Sequence, residues 1–188
     1  MTRRVIPLAL LALLAAPSAA HAEDAATVRG KIAAAMQSAK SYVITTSATT
    51  GFTVTTTFAA PDRFHSSLAY GATKRDVVLI GQVAYVSDDG RPYQKIDAPP
   101  DIVAAQSQLR AVPVDQVLPD TSAGGKSWGR FVTTSAGPQK DQRLTCTFDK
   151  RTYRINDCSN EGMTLTFSRY DDPANVVSIP AATSPAPH

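Results

Sequence analysis

The sequence predicts an α+β fold in which antiparallel strands form two meanders and helices cover one face of the sheet. Three observations lead there. Short runs rich in Thr, aromatic and β-branched residues alternate apolar with polar and are separated by turn residues. One stretch near the start, DAATVRGKIAAAMQSAKS, carries its apolar residues at helical spacing instead. A second helical stretch, PPDIVAAQSQLR, divides the strands into two sets. The 188 residues contain no internal repeat and suit one domain.

Residues 1–22 read as a secretory signal peptide. Arg3-Arg4 give a basic start, VIPLALLALLAA an apolar run, and Ala20-His21-Ala22 an Ala-x-Ala cleavage site. The run is shorter than the ~20 residues of a membrane span. Cleavage after Ala22 is expected to leave a soluble periplasmic chain starting Glu23-Asp24, with no cysteine at the junction to take a lipid anchor. No later stretch is apolar enough to span a membrane. Residues 23–180 are expected to form the single domain and 181–188 a disordered tail.

In the first helix Val28, Ile32 and Met36 make a narrow stripe, with Asp24 or Thr27 as cap. SYVITTSATT sets Tyr42, Ile44 and Thr46 on one face, and GFTVTTTF sets Phe52, Val54, Thr56 and Phe58 on one face, with Thr49-Thr50-Gly51 as the turn. RFHSSLAY alternates Phe64, Ser66, Leu68 and Tyr70, and RDVVLIG with QVAYVSDDG reads as a hairpin turning at Gly81. Ile102, Ala105 and Leu109 give the second helix its stripe. AVPVDQVLPDTSAGGKS, rich in Pro and Gly yet carrying Val112, Val114, Val117 and Leu118, is expected to be an irregular flap on an apolar surface. SWGRFVTTSA, QRLTCTF, TYRIND and MTLTFSRYD complete the strands.

CTFDKRTYRINDC holds the chain's two cysteines, Cys146 and Cys158. Their spacing is not Cys-x-x-Cys, and a zinc site lacks partners, because only His65 and His188 follow the cleavage site. A hairpin turning at Lys150–Thr152 brings the pair together as a structural disulfide, as an oxidising compartment favours. Direct pairing would put Phe148 on one face and Tyr153 and Ile155 on the other. A sheet covered on both faces, a bulge or a diagonal bridge would each accommodate that.

Catalytic motifs are missing. The chain has no Gly-x-Ser-x-Gly, His-Glu-x-x-His or Gly-rich phosphate loop, so no enzyme, cofactor or metal is expected. His65 sits between Phe64 and Ser66 on a strand and points away from the Phe64 face. Loss of Arg3 and Arg4 takes the formal charge from +3 to +1, which argues against a nucleic-acid partner.

Several stretches resemble the LolA/LppX-like superfamily of periplasmic lipoprotein carriers. They are Ser41-Tyr42 before a Thr-rich hairpin, APDRF (60–64), LIGQVAYVSDDGRPYQKID, and FSRYDDPANVVSIPAA, whose end is similar to the family's closing strand. Tyr93 stands where the family has Trp. The resemblance implies an incomplete antiparallel β-barrel with helices over its concave face, and an apolar cavity holding a lipid or the acyl chains of a lipoprotein. It implies membrane-bound donor and acceptor proteins, and a monomeric carrier. Tyr42, Ile44, Phe52, Val54, Phe58, Phe64, Leu68, Tyr85, Leu165 and Phe167 would line the sheet side, and Ile102, Val103 and Leu109 the helical side. Arg63 or Arg130 would hold a headgroup at the rim. The alternative is a sensor or protein-interaction domain on the same fold, with those residues as a filled core.

Overall fold

The computed structural model describes residues 23–108, 110–134, 142–181 and 183–184. The signal peptide and Leu109 therefore lie outside the described residues. Helix α1 (Ala25–Ser38) begins where the Asp24 side chain, itself in extended backbone, accepts a hydrogen bond from Thr27 N at 2.8 Å. Val28, Ile32 and Met36 lie one turn apart and are all buried.

A first meander follows: β1 (Ser41–Ala48), β2 (Phe52–Ala59), β3 (Arg63–Tyr70), β4 (Thr73–Ile80), β5 (Val83–Asp88) and β6 (Tyr93–Asp97). Helix α2 (Pro100–Gln108) interrupts it. The second meander is β7 (Gln116–Ala123), β8 (Lys126–Thr134), β9 (Arg143–Asp149), β10 (Ile155–Ser159) and β11 (Met163–Ser168). The two join through antiparallel β1 and β11, from Val43↔Ser168 to Ala48↔Met163. With the short β12 (Thr183–Ser184) at one edge, the curved sheet runs β12-β6-β5-β4-β3-β2-β1-β11-β10-β9-β8-β7 and does not close, so the architecture is α+β with an incomplete antiparallel barrel.

Four local expectations are corrected. Gln116–Ala123 is not irregular but an edge strand paired to β8. Pro119 argues against a central strand, yet an edge strand tolerates it at an irregularity of the ladder, and the register shifts there, between Leu118 and Thr121. The β9–β10 connection spans residues 150–154 rather than Lys150–Thr152, with Tyr153 at φ 57°. The segment 173–180 forms no strand and instead lays Val177 on Val78 and Tyr85, on the face opposite α1. Thr183–Ser184, expected in a disordered tail, pair in parallel with Tyr93 and Gln94 as β12.

Cys146 and Cys158 are bonded, with S–S 2.04 Å, and stand directly opposite each other on β9 and β10. A bulge resolves the facing problem. Ile155 pairs with Phe148 but Asp157 with Thr147, so one extra residue, Asn156, shifts the parity. Phe148, Ile155 and both cysteines then join the core beneath α1.

Candidate functional site

Alternation along each strand decides what faces the helices, and the pairing registers carry that parity from strand to strand. Tyr42 opposes Phe58, Phe58 opposes Phe64, Phe64 opposes Leu79, and Ile44 opposes Phe167. Tyr42, Ile44, Phe58, Phe64 and Phe167 are buried together in the core cluster that α1 completes. Their rings are close, with centroids 4.8 Å apart for Tyr42–Phe58 and 5.1 Å for Phe58–Phe64. Burial pushes the Tyr42 phenol above its usual range.

Further along the same strands the cover thins. Phe52, Val54, Leu68 and Leu165 share the helix-covered face but are only half-buried. Val54 opposes Leu68, and Thr46 lies between Val54 and Leu165. Val77 and Val86, also half-buried and paired, extend this apolar stretch across β4 and β5. At its far margin Tyr70, opposite Phe52, is 56% exposed. Arg75 holds Asp88 there through two hydrogen bonds of 2.6 and 3.1 Å. The residues named together from the sequence thus fall into a packed inner row and a half-open outer row.

On the helical side, Ile102 packs against the core and Val103 is half-buried. No sequence pattern pointed to Arg110, just beyond α2, because a single arginine there carries no spacing signal. Its guanidinium lies 5.0 Å from the Phe58 ring centroid and donates to the carbonyls of Pro61 (2.8 Å) and Gln37 (3.2 Å). Arg110 therefore ties α2 to the end of α1 and to the β2–β3 turn.

Three placements are corrected. Tyr85 opposes Val78, not Leu79, so it stands on the face opposite the helices, packed with Val78 and Val177. Arg63 lies on that same face and donates to the Val177 carbonyl at 3.2 Å. Arg130 alternates with buried Phe131 and likewise points away from the helix-covered face. Each error is one of parity, since adjacent strand residues point to opposite sides. His65, also on this face, sits 3.3 Å from Asp76, whose carboxylate accepts from the Ser67 hydroxyl as well.

A concave feature lies elsewhere and includes none of the ligand-lining or rim residues expected from the sequence. An open groove of about 930 Å³ lies between the start of α1, strand β7 and the β9–β10 turn. Its apolar wall includes Val28, Val117, Phe148 and Tyr153; Glu23, Asp115, Asp120 and Lys150 supply the polar groups. Tyr153 stacks on Phe148 with centroids 5.6 Å apart, and its hydroxyl donates to Glu23 at 2.8 Å.

Asp149 holds that turn in place. Lys126, at 2.5 Å, and then the backbone N–H groups of Arg151 and Thr152 keep its carboxyl down at about 2 despite partial burial. A lowered folded-state value means the contribution is complete above the unfolded value of 3.8 and is lost as pH falls through about 2. Asp149→Asn is expected to cost about 1 kcal/mol at pH 7 after allowance for solvent screening. Urea titrations of both proteins at a series of pH values should show that difference shrinking below pH 4 and disappearing only as pH falls through about 2.

Among the described residues no helix is long and apolar enough to cross a membrane, and no group of His, Cys, Asp or Glu is placed to hold a metal ion. No protein-family model and no curated protein matches the sequence. Solved structures do. LprF from Mycobacterium bovis aligns with TM-score 0.53 and 13% identity, over 83% of this chain and 95% of that one. The Mycobacterium tuberculosis lipoprotein LppX aligns with TM-score 0.52 and 14% identity, over 79% of this chain and 97% of that one. At these identities the likeness is one of fold.

Proposed function

We propose that this chain, whose fold is the LolA/LppX-like one, binds a lipid or the acyl chains of a lipoprotein and carries them between membrane-bound donor and acceptor proteins. The observation that carries the reading is the half-buried outer row, Phe52, Val54, Leu68 and Leu165, which continues the core's apolar face past its helical cover. An apolar face left part-open calls for an apolar occupant, and burying an acyl chain from water gains about 0.8 kcal/mol per CH₂. A chain drawn from a membrane is already in apolar surroundings, so uptake and release run close to balance and need no nucleotide. The disulfide supports an oxidising, extracytoplasmic location, with the periplasm the simplest case. The role is binding rather than catalysis: the Ser67 hydroxyl donates to the Asp76 carboxylate rather than to the His65 imidazole, so the contacts of His65 do not join a hydroxyl to a base that would activate it.

The test is mass spectrometry of an organic extract from protein purified out of its native compartment. A stoichiometric lipid or acylated peptide supports the carrier. Leu68→Glu puts a charge in the outer row at a half-buried site. It is expected to cut the retained lipid about tenfold or more while shifting the melting temperature by only a few degrees. An empty extract after gentle purification favours the second reading, a protein-interaction domain. One observation supports that reading directly: the inner row is packed as ordinary core, with Tyr42 and Phe58 fully enclosed.

A further inference from the structure

Strand β7 ends the strand order, so its outer backbone edge has no strand partner among the described residues. Six successive residues, Asp115 to Asp120, line the groove beside it, which means the open space follows the strand lengthwise. Glu23, Ala25 and Val28 at the start of α1 form the facing wall. Pro119 and the register shift between Leu118 and Thr121 blunt the outer half of this edge, as natural edge strands are blunted against unwanted pairing. Gln116–Leu118 is left open, with Val117, Phe148 and Tyr153 as apolar neighbours.

The charges are unevenly matched. Glu23 is paired with Lys31, and Asp120 with Lys150. Asp115 accepts a hydrogen bond of 2.8 Å from the Thr134 hydroxyl but takes part in no ion pair among the described residues. A carboxylate without a cation, at the head of an open edge, complements a cationic side chain on an extended occupant.

We infer that the groove binds an extended peptide segment of a partner protein, which adds a strand along Gln116–Leu118 and sets a Lys or Arg against Asp115. Backbone pairing supplies the affinity, while the apolar wall and Asp115 supply selectivity. The site is separate from the outer row of the sheet, so its failure would leave the lipid reading standing, and the reverse.

The test uses three fluorescein-labelled octapeptides of alternating Val and Thr. One has a central Lys, one a Glu at that position, and one is the Lys peptide N-methylated at alternate backbone nitrogens. Binding to the whole protein is read by anisotropy, and amide hydrogen exchange locates it. The Lys peptide is expected to bind and to protect amides of residues 116–118. The Glu peptide should bind up to about fivefold more weakly, as for an exposed ion pair. N-methylation should abolish binding, and Asp115→Asn, at an exposed position, should make the Lys and Glu peptides equal. The inference is overturned if no peptide binds or if the N-methylated peptide binds equally well. Protection of the same amides by dodecylphosphocholine, with displacement of the peptide, would overturn it too and assign the groove to an amphiphile.

Discussion

Gly129→Ala is expected to lower the melting temperature by about 6–12 °C, from an overpacking cost of about 3 kcal/mol in a chain of this size. The reason lies in one close approach. Gly129 on β8 opposes Phe148 on β9, and the Phe148 ring lies over the bare Cα. A methyl group built there would come within 3.0 Å of three ring atoms, a separation real side chains do not adopt. Phe148 has little room to yield, because Phe131 and Tyr153 flank it at centroid distances of 6.1 and 5.6 Å. Thermal unfolding followed by circular dichroism measures the loss. Adding Phe148→Leu to Gly129→Ala should recover part of it, since the smaller side chain vacates the clash. A Gly129→Ala protein as stable as the parent would mean that the ring does not rest on this glycine.

Removing the disulfide is the second large effect. Cys146→Ala with Cys158→Ala should destabilise the protein by about 3 kcal/mol, the loop-closure entropy returned to the unfolded chain by a short loop. The two positions are 12 residues apart and both buried, so the alanine pair also leaves a small void. Urea denaturation of the double variant, and of the parent with and without reductant, checks this. Equal midpoints for oxidised and reduced parent would remove the structural role and return the pair to redox chemistry.

The inner row was legible because alternation needs no partner: Tyr42 with Ile44, and Phe58 and Phe64 on their own strands, announce a buried face. Tyr85 was misplaced although its parity was within reach. Two-residue turns at Gly71-Ala72 and Gly81-Gln82 fix Tyr70↔Thr73 and Ile80↔Val83, and counting inward puts Ala84, not Tyr85, beside Leu79. The bulge at Asn156 could be listed as a possibility but not chosen, since only the finished ladder records an extra residue. β7 was hidden by Pro119, which reads as a breaker until the strand is known to lie at an edge. Arg110 and the groove were invisible for a different reason. They arise where α1, α2, β7 and a turn meet, and no local pattern encodes a meeting of distant segments.

The seam between β1 and β11 has a consequence for how the molecule comes into being. Each meander is wired locally, strand to next strand, whereas residues 43–48 must wait for 163–168. Apart from the two-residue pairing of β12 with β6, the strand pairs distant in sequence are those of this joint, so two half-sheets should form early and dock late, with the docking step setting the folding rate. A nascent chain that stops before Met163 would have every strand of the first meander, with β1 paired to β2 but its β11 side open. Only once residues 163–168 are present can the seam close and lock the two halves into one body.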